Sequence, residues 1–217
     1  MFLECVILLH GLARTDASMN SMERALIQSG YHTVNHHYPS RQQTIEKLAE
    51  LEVPKAINAC PQKTQSIHFV THSMGGILLR QYLQKNSLET IGRVVMLGPP
   101  NQGSEVVDKL GQYQFFKIFN GPAGVQLGTS NDSVPVSLGS WPAKSGDLGV
   151  IAGKQSINLF LSYLIPGSDD GKVSIESTKL TGMSDHKAVP ATHPLMMKNK
   201  HVINEVKHFL KTGTFSK

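Results

Sequence analysis

Residues 71–76 of the chain are Thr71-His72-Ser73-Met74-Gly75-Gly76. An apolar run at 67–70 precedes them, and a helical pattern at 77–83 follows. A strand, a sharp turn and a helix are the context in which a serine between small residues forms a nucleophile elbow. Gly75 lets strand and helix approach closely, and the helix N-terminus directs unpaired N–H groups toward Ser73. We therefore interpret Ser73 as a nucleophile and not as a helix cap, although Thr71 stands at the first glycine position of the G-x-S-x-G pattern.

Apolar stretches that alternate with helical patterns predict the fold. The predicted strands cover residues 5–9, 31–38, 66–71, 91–97, 148–152 and 187–190. Short apolar runs separated by helices indicate a parallel sheet covered on both faces. We predict an α/β fold of about six mostly parallel strands, in which residues 1–217 form a single domain. Pro54 is expected to break or restart the second helix.

Between residues 101 and 144 the alternation lapses. A helical pattern at 105–119 carries Phe115, Phe116 and Phe119, and Gly, Pro, Ser and Asn dominate 120–142. Long irregular segments in compact domains tend to be functional. We predict an insertion that acts as a lid over a site; the alternative is that its aromatic residues simply pack on the sheet. A second apolar stretch lies at 157–164.

Charge and composition exclude several classes of protein. The net charge is +5 and the pI about 9.2, but Lys and Arg are scattered, which does not favour nucleic-acid binding. The two cysteines, Cys5 and Cys60, provide no disulfide framework. No apolar stretch is long enough to span a bilayer, and residues 1–9 lack a basic start and contain Glu4, so they predict a core strand and not a signal peptide. The expected location is cytoplasmic.

The remaining candidates for chemistry follow predicted strands. His193 follows the last strand, where an imidazole can reach the serine hydroxyl, whereas its nearest rival, His186, precedes that strand. Asp170, in an Asp-Gly-Lys-Val turn, is the favoured partner for the histidine. Asp169 remains an alternative, and Glu176 a distant one.

Acyl transfer also requires donors for the developing oxyanion. One candidate is the backbone N–H of Met74, after the nucleophile, and the other is the N–H of Leu12, in the loop after the first strand. His10 is expected to brace that loop. The sequence contains no His-Glu-x-x-His run, no paired cysteine ligands and no glycine-rich phosphate loop, so we expect neither a metal nor an organic cofactor.

These segments together resemble the α/β-hydrolase superfamily. They are His10-Gly11-Leu12, Thr71-His72-Ser73-Met74-Gly75-Gly76, Asp170-Gly171-Lys172-Val173 and His193, with Pro100-Asn101-Gln102-Gly103-Ser104 after the fourth strand. Within that superfamily the chain is similar to small bacterial lipase- and esterase-like hydrolases. The resemblance covers essentially the whole chain. It implies a triad of Ser73, Asp170 and His193, and oxyanion donors at Leu12 and Met74.

The expected activity is hydrolysis of carboxylic esters through an acyl-enzyme, with a small acyl ester or lipid-like substrate. The phenylalanines at 115, 116 and 119 suggest an apolar acyl chain, although core packing explains them equally well. Two alternatives remain: an acyltransferase or thioesterase that uses the same triad, and a non-catalytic binding protein with this fold.

Overall fold

A single parallel sheet of six strands organises the protein, in the order β2-β1-β3-β4-β5-β6. The computed structural model describes residues 3–156, 162–163 and 165–217, so most of the apolar stretch 157–164 lies outside the described residues. The strands are β1 (Leu3–Leu9), β2 (His32–His36), β3 (Thr64–His72), β4 (Ile91–Leu97), β5 (Leu148–Gly153) and β6 (Asp185–Val189). Every neighbouring pair is parallel, which confirms the predicted fold class.

Helices cover both faces of the sheet. They are α1 (Asn20–Gln28), α2 (Ile45–Asn58), α3 (Met74–Leu83), α4 (Glu105–Leu110), α5 (Gln114–Val125), α6 (Val134–Ser137), α7 (Ile175–Thr178) and α8 (Lys200–Thr212), with 3₁₀ turns at Asp16–Met19 and His193–Lys198. None of the helices in the described ranges is long and apolar enough to cross a membrane.

Alternate residues of each strand point to opposite faces, and this divides the core in two. In β1, Cys5, Ile7 and Leu9 pack with α2 and α3, whereas Val6 and Leu8 pack with α1 and α8. Both sets are fully buried, as expected for a parallel sheet between two helical layers.

Pro54 lies inside α2 and does not end it, contrary to the expectation from the sequence. An interior proline removes one helical hydrogen bond and costs about 3 kcal/mol. Val53 and Ala56, on either side of Pro54, are both fully buried against the sheet. Their packing keeps the helix against the sheet on both sides of Pro54.

The segment 101–144 contains α4, α5 and α6 and contributes to the core. Ala123, Leu127 and Trp141 are buried in the same cluster as α2 and α3. The fully buried guanidinium of Arg80, in α3, ties the segment down by donating to the carbonyl oxygens of Asn101, Pro135 and Gly139. These contacts anchor both ends of the segment to the domain.

A disulfide joins Cys5, in β1, to Cys60, just after α2. This pairing was not expected, because two cysteines in the sequence provide no disulfide framework. The pairing arises because α2 runs antiparallel to the sheet and returns its C-terminus to the start of β1, a proximity that a separation of 55 residues does not reveal. Disulfides persist mainly in oxidising compartments. The disulfide therefore argues against the cytoplasmic location that we expected from the sequence. That location remains a prediction.

Reduction of this disulfide is expected to destabilise the fold. Closing a loop of this length lowers the entropy of the unfolded chain by an amount worth about 4 kcal/mol. Thermal unfolding followed by circular dichroism should show a midpoint roughly 10 °C lower with reductant. The matched control is the double variant Cys5→Ala/Cys60→Ala, whose midpoint should not respond to reductant. An unchanged wild-type midpoint, with two free thiols titrated, would contradict the prediction.

Candidate active site

Ser73 occupies a strained turn between β3 and α3. Its backbone has φ 53° and ψ −123°, a conformation that L-residues rarely adopt and that costs of order 1–3 kcal/mol. The turn is held by the Ser73 N–H, which donates to the Leu97 carbonyl at 2.8 Å. A Cβ added at Gly75 would lie 2.6 Å from the Leu9 carbonyl oxygen, so this crossing requires glycine. The structure thus places the Ser73 hydroxyl at the carboxyl edge of the sheet, as the elbow pattern predicts.

Thr71, at the first position of the elbow pattern, is fully buried in β3. Its hydroxyl would lie 3.1 Å from a Cβ added at Gly76. Because Gly76 has no side chain, there is room for the side chain of Thr71. The elbow therefore forms without glycine at position 71.

The loop after β1 passes directly beside Ser73. A Cβ added at Gly11 would lie 3.2 Å from Ser73 Cβ and 2.8 Å from His72 Nδ1, so only glycine fits there. The Gly11 carbonyl accepts from His10 Nδ1 at 2.9 Å and from the Arg14 N–H at 3.3 Å. These bonds fix the peptide plane that also carries the Leu12 N–H.

His10 braces this loop, as expected. Its ring is fully buried and stacks on Tyr38 with centroids 4.1 Å apart. Nε2 accepts from the Tyr38 N–H at 3.3 Å, and Tyr38 Oη donates to the His10 carbonyl at 2.5 Å. Burial lowers the pKa of His10 to about 4, so the ring is neutral at pH 7 and Nδ1 carries the proton it donates to Gly11.

His193 and Asp170 complete a hydrogen-bonded chain that begins at Ser73. His193 Nε2 lies 3.0 Å from Ser73 Oγ, and His193 Nδ1 lies 2.7 Å from Asp170 Oδ2. The other carboxylate oxygen, Oδ1, accepts from the N–H groups of Lys172 and Val173, each at 3.0 Å. With Nδ1–H directed at the carboxylate, Nε2 is free to accept the serine proton. The structure brings together the three residues that the sequence singled out.

The rival residues have other partners. Asp169 accepts from the Gly171 N–H at 2.7 Å and from Ser162 Oγ at 2.5 Å, so it serves the turn. Glu176 pairs with Lys179 at 2.7 Å. His186 Nε2 lies 2.9 Å from Thr178 Oγ1.

His72 has a positioning role that sequence reasoning missed. Its ring is buried, and Nε2 donates to the backbone carbonyl of His193 at 3.0 Å. Burial, and then the proximity of the His193 ring, hold the pKa of His72 well below its usual value, so the ring is neutral at pH 7. Nδ1 is buried without a hydrogen-bond partner among the described residues. The histidine in the elbow therefore supports the segment that carries His193.

A pocket of about 300 Å³ opens at Ser73 and His193. Its apolar wall comes from the insertion and from the loop after β1, through Leu12, Val106, Val107, Leu110, Phe116 and Leu127. Of the three phenylalanines proposed for substrate binding, Phe116 lines this pocket. Phe115 and Phe119 are 56% and 66% exposed and point away from it, because their helical positions face solvent. Among the described residues, no group of three or more His, Cys, Asp or Glu side chains could hold a metal ion.

Comparison with known proteins shows the family of the chain. The profile of the palmitoyl protein thioesterase family matches residues 5–133, more than half of the chain. The chain belongs to this family. It is thereby an α/β-hydrolase, as the sequence motifs indicated, and the match includes the elbow. No curated protein is similar to the chain at a significant level.

Solved structures share the fold at low sequence identity. The mature Bacillus licheniformis lipase BlEst2 is 18% identical over 94% of this chain and 91% of its own, with a TM-score of 0.70. The metagenomic carboxyl esterase MGS0156 is 17% identical over 87% and 64%, with a TM-score of 0.71. The Legionella pneumophila phospholipase PlaB is 16% identical over 97% of this chain but 58% of its own, with a TM-score of 0.70. Family and fold support an ester-hydrolysing enzyme.

Proposed function

We propose that the protein is a serine hydrolase that cleaves carboxylic esters through an acyl-enzyme. The observation that carries the proposal is the unbroken hydrogen-bonded chain from Ser73 Oγ through His193 to Asp170 Oδ2. Ser73 Oγ attacks the acyl carbonyl while His193 Nε2 takes its proton and passes it to the departing alcohol. Water then attacks the acyl-enzyme, with His193 again as the base. Asp170 keeps the imidazole in the required tautomer and stabilises its protonated form.

The oxyanion donors in this proposal are the N–H groups of Leu12 and Met74. Met74 is the first residue of α3, so its N–H has no partner within the helix. The Leu12 N–H has no hydrogen bond among the described residues, and the Gly11 carbonyl of the same peptide is held on the opposite side. Fixed donors of this kind stabilise developing negative charge without reorganisation.

The apolar side chains that segment 101–144 contributes to the pocket suit the acyl chain of a substrate. The substrate class is accordingly a lipid-like acyl ester. Movement of segment 101–144 as a lid stays a prediction, although its buried contacts favour motion of α4 and α5 over release of the whole segment.

A second candidate is hydrolysis of thioesters by the same residues. Membership of a family named for palmitoyl protein thioesterases favours this alternative. The chemistry differs only in the leaving group, a thiol that needs less help from the general acid than an alcohol does.

A matched series of substrates tests the proposal. We expect turnover of p-nitrophenyl esters, with kcat/KM rising from acetyl to medium-length acyl chains because the pocket wall is apolar. An oxygen ester and a thioester with the same acyl chain and a similar leaving arm then separate the two candidates. Turnover of neither, by folded protein, would contradict both. Turnover of the thioester alone would move the assignment to the second.

A further inference from the structure

Two cationic side chains flank the proposed nucleophile without a partner of opposite charge. Arg14 and Lys172 line the same pocket as Ser73 and His193. Neither side chain makes an ion pair or a hydrogen bond with any residue in the described ranges. Among the described residues that line the pocket, Asp170 is the single acid. Both of its oxygens are already engaged, by His193 and by two backbone N–H groups.

The two cations affect each other and the residues beneath them. The Lys172 side chain is accessible to solvent. Partial desolvation by the surrounding protein lowers the pKa of Lys172, and the charge of Arg14 lowers it further, whereas the charge of Asp170 raises it. Arg14 and Lys172 both also lower the pKa of His72, which lies under His193. The mouth of the pocket thus carries positive charge that the protein itself does not neutralise. An anion between the two side chains would relieve their repulsion.

The backbone holds both residues in place. Ala13 has a left-handed conformation (φ 54°), and its N–H donates to Ser40 Oγ at 3.1 Å, which sets the turn that presents Arg14. The Lys172 N–H donates to Asp170 Oδ1, which ties this residue to the carboxylate that orients His193. Backbone hydrogen bonds therefore fix the turn before Arg14 and the position of Lys172.

The position of the cations identifies the part of the substrate that they face. The general acid His193 gives its proton to the departing oxygen, so the leaving group lies on the His193 side of Ser73. The backbone of Lys172 lies on that side, because its N–H donates to Asp170, the carboxylate that contacts His193. The apolar wall for the acyl chain comes mainly from α4, α5 and Leu127, with Leu12 from the loop after β1. The acyl chain and the leaving group thus meet different surfaces, one apolar and one cationic.

We propose that the preferred substrate is an acyl ester whose alcohol carries a phosphate a few bonds from the ester oxygen, held between Arg14 and Lys172. This inference rests on the proposed function and adds the class of leaving group. In the reaction the acyl C–O bond breaks, the alcohol oxygen receives the proton from His193, and the phosphate is unchanged. An acyl glycerophosphate has this spacing. In an acyl coenzyme A thioester the phosphates lie at the far end of a long arm.

The test compares two esters that differ only in the phosphate: 1-octanoyl-glycerol-3-phosphate and 1-octanoyl-glycerol. We expect wild type to prefer the phosphate ester in kcat/KM by about tenfold or more, since a hydrogen bond to a charged group is worth about that factor. Arg14→Gln and Lys172→Gln should each lower this ratio of kcat/KM values about tenfold, or to one if the wild-type ratio is smaller than that. In the double variant the two esters should have equal kcat/KM. Lys63→Gln is the matched control, because Lys63 is exposed and precedes β3 at the opposite edge of the sheet. It should retain the wild-type preference.

Several results would overturn the inference. The first is equal kcat/KM for the two esters in wild type, and the second is an unchanged preference in the double variant. The third is an equal fall in kcat/KM on both esters in the variants, which would indicate a structural role for the two residues. Octanoyl-coenzyme A and the octanoyl thioester of N-acetylcysteamine form a second pair. Charge-dependent preference in this pair alone would place the anion far from the ester and contradict the proposal. If wild type turns over none of the four, the proposed function itself fails.

Discussion

Ser73→Ala is expected to lower kcat for ester hydrolysis by on the order of 10⁶-fold, the size of effect seen when a serine protease loses its nucleophile. Without Oγ no acyl-enzyme forms, and His193 has no hydroxyl to activate. Alanine keeps the Cβ, so the strain at φ 53° is unchanged. The substitution removes the hydrogen bond between Ser73 Oγ and His193 Nε2, while the backbone bond from the Ser73 N–H to the Leu97 carbonyl remains. We therefore expect the fold to survive the substitution.

The measurement is the initial rate of p-nitrophenyl ester hydrolysis, with thermal unfolding to verify the fold. Ser66→Ala is a matched control, because Ser66 lies in the same strand, β3, at the other edge of the sheet. It should retain wild-type rates. Comparable activity in Ser73→Ala would show that another residue is the nucleophile and would contradict the elbow assignment.

The sequence carried enough information to predict the fold and the elbow. Short apolar runs spaced by helices indicate a parallel sheet, and the chain alternates in this way except in segment 101–144. Ser73 and His193 were predictable because Ser73 directly follows β3 and His193 lies in the loop after β6. The carboxyl ends of parallel strands meet at one edge, whichever helices join them.

Other features depend on distances that no local pattern reveals. The bond between Cys5 and Cys60 follows from the path of α2 back across the sheet. Arg14 and Lys172 line the same pocket because the loop after β1 and the turn after Asp170 converge there. In α5, periodicity placed three phenylalanines together, but only the helix orientation decides that Phe116 alone of the three faces the pocket.

The second large effect is expected for Asp170→Asn, which should lower kcat about 10⁴-fold. In the wild type, Oδ1 accepts from two backbone N–H groups, while Oδ2 accepts from His193 Nδ1. An asparagine must keep its oxygen toward the two N–H groups, because its NH₂ cannot accept from them. The NH₂ group is therefore forced to face His193 Nδ1.

This orientation reverses the tautomer of the histidine. An amide N–H directed at Nδ1 requires Nδ1 to be the acceptor, which places the proton on Nε2. Nε2–H then faces Ser73 Oγ and cannot take its proton. The loss should appear mainly in kcat, with little change in the thermal midpoint, because the asparagine retains the hydrogen bonds of the turn.

Asp169→Asn is the adjacent, isosteric control. Its amide oxygen can still accept from the Gly171 N–H, and its NH₂ can donate to Ser162 Oγ, which reverses that bond without breaking it. We expect kcat to stay within about tenfold of wild type, since no contact with His193 changes. The measurement is kcat of Asp170→Asn and Asp169→Asn on the same ester under steady-state conditions. Equal losses, or a larger loss in Asp169→Asn, would show that the carboxylate 2.7 Å from His193 does not set its tautomer.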